Sequence, residues 1–80
     1  MEPSCNLSRL APGQRARILS IRVDGAMRRR LLDLGLIEDT EVMCLGRSPL
    51  GDPSAYLIRG AVIAIRARDS RQILINIKPA

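Results

Sequence analysis

Apolar residues recur along this chain with two different periods. They recur every three to four residues near residue 30, as in a helix, and every second residue in other segments, as in a strand. Met27, Leu31 and Leu34 are spaced i, i+4 and i+7, so they share one face of a short helix. Gly35 stands where a helix that ends at Leu34 needs a left-handed residue, and Leu36 would then contact Leu31. The pattern therefore predicts a short helix that buries one face and stops at Gly35.

Alternation of apolar and polar residues predicts strands on both sides of this helix. The predicted strands cover residues 16–23, 41–47, 55–59, 61–66 and 73–78. Asp24 is placed to cap the start of the helix, and Asp69 to cap a short turn before the last strand. Between the second and third strands, the segment 48–53 contains two prolines and a glycine and must be a loop.

Five short strands and one helix favour a mainly β fold, a small, bent antiparallel sheet or partly closed barrel. The helix lies between the first and second predicted strands and would cover one end. Residues 1–6 carry no periodic pattern, so we expect a flexible N-terminal tail followed by one domain over residues 7–78. No internal repeat or linker divides these 80 residues.

Charge and composition narrow the classes of partner. The formal net charge is +5, and Lys78 is the only lysine, so arginine carries nearly all positive charge. Nucleic acid, anionic lipid or an acidic protein surface could each be attracted. Tyr56 is the only aromatic residue, which argues against base stacking and against an aromatic groove for proline-rich ligands. No apolar run reaches the roughly 20 residues that a membrane span needs, so we expect no membrane insertion.

Chemistry-bearing residues are sparse. The chain has no histidine and two cysteines; Cys5 falls in the predicted tail and Cys44 among the apolar residues of a strand. The acidic residues lack metal-binding spacing, and no nucleophile stands beside a base. Two thiols and no secretory segment suggest a reducing cytosol without a disulfide. We expect no enzyme activity, no metal site and no cofactor.

The loop Ser48–Pro53, with the sequence SPLGDP, is one candidate contact for a partner. Proline and glycine make a rigid, projecting loop, which loses little entropy on binding. Pro49, Leu50 and Asp52 are its candidate contact residues. The alternative is that this segment is only the turn that the topology requires.

Arginines supply the remaining candidate contacts. Arg28 and Arg29 could bind carboxylates or phosphates, whereas pairing of Arg29 with Asp33 would make that arginine structural. Arg59 and Arg66, at the ends of neighbouring predicted strands, could form an exposed basic pair or be solvated separately.

Three separated segments, RRRLLDLGLIEDTEV, SPLGDP and IRGAVIAIR, resemble the ferrous iron transport protein A (FeoA) family. The resemblance extends from about Leu7 to Ile77. It implies an SH3-like β-barrel and a small cytosolic partner of FeoB, the ferrous iron transporter with a cytoplasmic GTPase domain. Asp39 stands where the family usually has glycine, and aspartate tolerates a positive φ better than most residues.

The resemblance thus implies a non-enzymatic cytosolic accessory protein, peripheral to the membrane, that docks on the cytoplasmic part of a FeoB-type transporter and supports its assembly or activity. Two alternatives stay open at this stage. One is a small basic β-barrel that binds nucleic acid, although the scarcity of aromatic residues leads us to expect none. The other is an autonomous relative of the SH3-like domain of metal-dependent repressors, since no helix-turn-helix precedes this segment. Weak self-association is also left open.

Overall fold

The computed structural model describes residues 4–78, which form one antiparallel sheet of six strands in the order β1-β6-β2-β3-β4-β5. The strands are β1 (Ser4–Asn6), β2 (Arg15–Ile21), β3 (Glu41–Arg47), β4 (Ser54–Ile58), β5 (Ala61–Ile65) and β6 (Ile73–Ile77), and the helices are α1 (Gly25–Asp33) and α2 (Ala67–Ser70). A single 3-10 turn covers Leu7–Arg9. β1 and β5 are the two edges of this sheet.

The mainly β fold and the helix between two strands are confirmed, but the sheet has six strands, not about five. The additional strand is β1, in the segment that was expected to be a tail. Ser4, Cys5 and Asn6 pair with β6. Three residues are too few to show a period, and their pairing depends on backbone hydrogen bonds that no side-chain pattern reveals. Residues 1–3 of the expected tail lie outside the described residues.

The core is mostly aliphatic, with Tyr56 as its largest side chain, and lies on the inner face of the sheet, under α1 and the 3-10 turn. Alternate strand positions are buried, as the period of two predicted. Cys44 is fully buried in this core, as expected. The buried hydrophobic residues are Leu7, Leu10, Ala16, Ile18, Val23, Leu31, Leu36, Val42, Cys44, Tyr56, Ile58, Ile63, Ile65, Ile73 and Ile75.

The end of α1 follows the predicted pattern closely. Gly35 has a φ of 93°. Its N–H donates to the Leu32 carbonyl at 3.0 Å, and the Leu36 N–H donates to the Leu31 carbonyl at 2.9 Å. This pair of bonds is a Schellman motif, which satisfies carbonyls that the helix leaves unpaired. The predicted stop at Gly35 is therefore confirmed.

The start of α1 differs from the prediction. Asp24 occupies the N-cap position, but its side chain makes no capping hydrogen bond. Gly25 has a φ of 71°, so the first residue of the helix has a left-handed backbone conformation. At an ordinary N-cap, an extended residue is followed directly by right-handed helical residues.

The turn between α1 and β3 is built on Asp39. Its φ is 69°, which confirms the positive φ expected at this position. The Asp39 N–H donates to the Ile18 carbonyl at 2.8 Å, and the Ile18 N–H donates to the Thr40 carbonyl at 3.0 Å. These two bonds hold the turn against β2 and set the start of β3.

Candidate protein-interaction surface

The loop Ser48–Pro53 presents one leucine almost completely to solvent. Leu50 is 94% exposed. The Ser48 N–H donates to the Pro53 carbonyl at 3.0 Å, and the Gly51 N–H donates to the Ser48 carbonyl at 2.8 Å, so the loop is closed by its own backbone. Burying this leucine against another surface would be favourable, whereas leaving it in water stabilises nothing in this chain.

Asp52 ties the same loop to α2. Its Oδ1 accepts a hydrogen bond from the Ala67 N–H at 2.8 Å, and its Oδ2 lies 3.8 Å from Nη1 of Arg66. The carboxylate therefore caps α2 from a distant loop. Asp69 had been expected to start a turn here, but it lies inside α2 and Arg66 holds the N-cap position. Neighbours in sequence could not reveal a cap supplied by another loop.

Arg28 and Arg29 differ in their surroundings. Nη1 of Arg28 donates to the Ile21 carbonyl at 2.8 Å, which ties α1 to the end of β2. Arg29 is exposed, and the ion pairs found within residues 4–78 do not include the expected one between Arg29 and Asp33. A role for either arginine in partner binding stays a prediction.

Arg59 and Arg66 do not form a pair. Arg59 lies in the turn before β5 and Arg66 directly follows that strand, so about 17 Å of extended chain separates them. Nε of Arg59 donates to the Gly35 carbonyl at 3.0 Å and joins the hairpin to the end of α1. The two arginines thus mark opposite ends of one edge strand.

The outer face of β3, β4 and β5 is apolar, which the sequence analysis missed. Met43 pairs with Leu57, and Leu57 pairs with Val62, so these side chains form one row across three strands. Val62 is 67% exposed, and Leu45 on the same side is also exposed. The stretch AVIAI was the available signal, since it is apolar at every position although only one of its faces is buried.

A second exposed apolar patch lies beside α1. Leu19, Leu32 and Ile37 are exposed, and the groove that contains the last two is also lined by Arg28 and Glu38. Its charged lining distinguishes it from the apolar outer face of the sheet.

Hydrogen bonding and burial shift the pKa of two titratable side chains, Glu41 and Tyr56. Lys78 Nζ donates to Oε2 of Glu41 at 2.6 Å, and this hydrogen bond lowers the pKa of the Glu41 carboxyl. Burial raises the pKa of Tyr56, whose hydroxyl donates to the Leu7 carbonyl at 3.4 Å. Within residues 4–78, no three histidine, cysteine or acidic side chains come together as metal ligands would. None of the helices described here is both long and apolar enough to span a membrane.

Two solved structures resemble this one at the level of fold. FeoA from Stenotrophomonas maltophilia, a prokaryotic SH3 domain protein solved with zinc, is 24% identical over 89% of this chain and 88% of that one, with a TM-score of 0.77. A manganese-dependent transcriptional repressor is 18% identical over 98% of this chain and 44% of that one, with a TM-score of 0.82. The expected SH3-like fold is confirmed.

A closer similarity identifies the family. FeoA from Chlorobium tepidum is 35% identical over 92% of this chain and 70% of that one, with a TM-score of 0.88. A comparison with curated proteins gave no match. Residues 5–77 match the model of the FeoA domain. Because this match covers almost the whole chain, the chain belongs to the FeoA family of ferrous iron transport accessory proteins.

Proposed function

We propose that this chain is a non-enzymatic cytoplasmic accessory protein of ferrous iron uptake that docks on the cytoplasmic part of a FeoB-type transporter and supports its assembly or activity. Family membership supports the link to iron transport. The observation that carries the docking proposal is Leu50, a leucine 94% exposed at the tip of a closed loop.

The loop is suited to docking because its shape is set before binding. Backbone hydrogen bonds close it, Pro49 restricts its backbone, and Asp52 anchors its far end to α2. Little conformational entropy is then lost when a partner covers Leu50. Full burial of one leucine contributes about 1.5–3 kcal/mol, equivalent to roughly 10- to 100-fold in affinity. The net charge of +5 would favour approach to an acidic partner surface.

The test is co-purification of the tagged chain with a FeoB-type transporter from detergent-solubilised membranes, over a series of salt concentrations. We expect Leu50→Asp to reduce recovery of the transporter about tenfold or more. The matched control is Leu50→Met, which keeps an apolar side chain of similar volume and should retain binding. Both variants should melt within a few degrees of the parent, since this side chain makes no internal contact that stabilises the fold.

Unchanged recovery of the transporter with Leu50→Asp would contradict the role of the loop. Failure of the parent chain to recover any transporter would contradict the docking proposal itself. Recovery of nucleic acid instead, lost steeply as salt rises, would favour the basic-barrel alternative.

A further inference from the structure

The edge strand β5 carries backbone groups with no partner strand. Arg59 and Gly60 form a two-residue turn with φ of 49° and 82°, typical of a type I′ hairpin. In such a hairpin the pair that closes the turn, here Ile58 and Ala61, exchanges backbone hydrogen bonds. Along the strands, pairs that exchange hydrogen bonds then alternate with pairs that do not. The N–H and C=O groups of the second and fourth residues of β5 therefore point away from β4.

Those two residues are Val62 and Ala64. Within residues 4–78, β5 has a neighbour on one side only, and that neighbour is β4. The backbone bonds found in turns and loops do not involve either residue. Two donors and two acceptors thus lie along an open edge, spaced as a further strand would require.

Within its five residues, β5 lacks the proline, charge and bulge that commonly prevent pairing at a sheet edge. Edge strands are commonly interrupted by proline, a charged side chain or a bulge. The sequence AVIAI contains neither proline nor charge. Its register with β4 has no shift over all five pairs. The edge is consequently regular for the full length of the strand, and Val62, 67% exposed, would continue the apolar outer face onto an added strand.

Charge at the two ends of β5 selects the kind of strand that fits. Arg59 precedes the strand and Arg66 follows it. The Arg66 side chain stays 60% exposed beside Asp52 at 3.8 Å, so that ion pair is weak and leaves the guanidinium accessible. If a second copy of β5 paired with the first in antiparallel orientation, Arg66 of each copy would lie near Arg59 of the other. Like charges there disfavour self-pairing.

We infer that β5 binds an extended segment of a partner protein, with alternating apolar residues at its centre and an acidic residue beyond each end, by adding it as a seventh strand. The backbone edge recognises the extended conformation, and Val62 and its row recognise apolar side chains. The two arginines recognise the acidic ends, since Arg59 is exposed and uses only its Nε in the bond to the Gly35 carbonyl. The inference rests on the proposed docking function only for the identity of the protein that carries this segment.

The test uses the 15N-labelled full chain and a capped synthetic peptide of about seven residues, Asp-Thr-Val-Thr-Val-Thr-Asp. We expect amide shift changes and slowed amide exchange at Val62 and Ala64. A peptide with lysine at both ends should bind about tenfold more weakly. Absence of any shift at millimolar peptide, or equal binding of the two peptides, would overturn the inference.

Ala64→Pro removes one edge donor without removing a bond to β4, and it should weaken peptide binding about fivefold to tenfold. Ala64→Val is the matched control, because it keeps the N–H and should bind like the parent. If the proline variant does not fold, the same test is made with the acidic peptide methylated on its central backbone nitrogens. Unchanged binding of the methylated peptide would then contradict strand addition. Dilution-dependent shifts at this edge without peptide would instead identify a second copy of the chain as the occupant and overturn the choice of partner.

These outcomes are separable from those of the docking proposal. Peptide binding with no recovery of a transporter would support the edge site and contradict the transporter as its partner. Transporter recovery that depends on Leu50 but not on the Ala64 N–H would support docking through the loop and contradict the transporter as the partner of the edge, whereas absence of peptide binding would overturn the edge site itself.

Discussion

Replacement of Gly35 by alanine tests the contact that joins α1 to the β4–β5 hairpin. Gly35 has a φ of 93°, where an L side chain is strained. A Cβ at this position would lie 2.6 Å from Cδ and 3.0 Å from Nε of Arg59. The arginine must therefore move, and its hydrogen bond from Nε to the Gly35 carbonyl, 3.0 Å long, would be lost.

The expected cost has two parts. The left-handed backbone contributes about 1 kcal/mol, which is roughly 1–2 kcal/mol of strain less the part of it offset because alanine lowers the entropy of the unfolded chain. Loss of an exposed hydrogen bond adds about 0.5–1 kcal/mol. Gly35→Ala should thus lower the free energy of unfolding by about 2 kcal/mol and the melting temperature by roughly 10 °C. For a domain of this size that is a large fraction of a stability of roughly 3–5 kcal/mol.

The assay is urea unfolding followed by far-UV circular dichroism, in the parent and in an Arg59→Ala background. Without the arginine side chain, neither the close approach nor the hydrogen bond exists, so only the backbone part of the cost should remain. Gly35→Ala should therefore cost about 0.5–1 kcal/mol less in this background than in the parent. Equal costs in the two backgrounds would refute the role of Arg59, and no cost in either would refute the left-handed requirement. Equal m-values would show that the unfolding reaction is the same.

Two further predictions concern side chains that link distant segments. Asp52→Ala should lower the free energy of unfolding by about 1 kcal/mol, because the Ala67 N–H loses its acceptor. Asp52→Asn keeps an oxygen there and should melt closer to the parent. Equal melting temperatures for the parent and the alanine variant would contradict the capping role. Lys78 lowers the pKa of Glu41, so this pair stabilises the folded state. That contribution is present above the unfolded pKa of about 4.3 and is lost as the pH falls through the lower pKa of the folded state. In an NMR titration Lys78→Ala should raise this pKa, and an unchanged value would contradict the pairing.

The predictable part of the fold rests on features local in sequence. The strand Glu41–Arg47 was predicted with its observed bounds, because apolar residues alternate there without interruption. The end of α1 was predictable because Gly35 and Leu36 stand where a Schellman motif places them. β1 was not predictable, since a strand of three residues is specified by its pairing with β6 and not by its own pattern.

The candidate site was predictable only in part, for a related reason. The exposed position of Leu50 follows from the prolines and glycine around it. Whether an arginine or an aspartate is available to a partner depends instead on what the fold brings next to it. Arg28, Arg59 and Asp52 each bond to a backbone group in another segment, and no spacing along the chain indicates this. The open edge at β5 depends likewise on the order of the strands.

The loop and the edge strand form one continuous surface. Ser48 and Pro53 of the loop line the same groove, of about 370 Å³, as Ala55 and Ala64 of the two strands. A segment that pairs with β5 would therefore pass beside the loop. Leu50 and Val62 are 94% and 67% exposed, so the contacts of these side chains contribute little to folding. If one partner covered both the loop and the edge, both of these exposed side chains would be buried on binding.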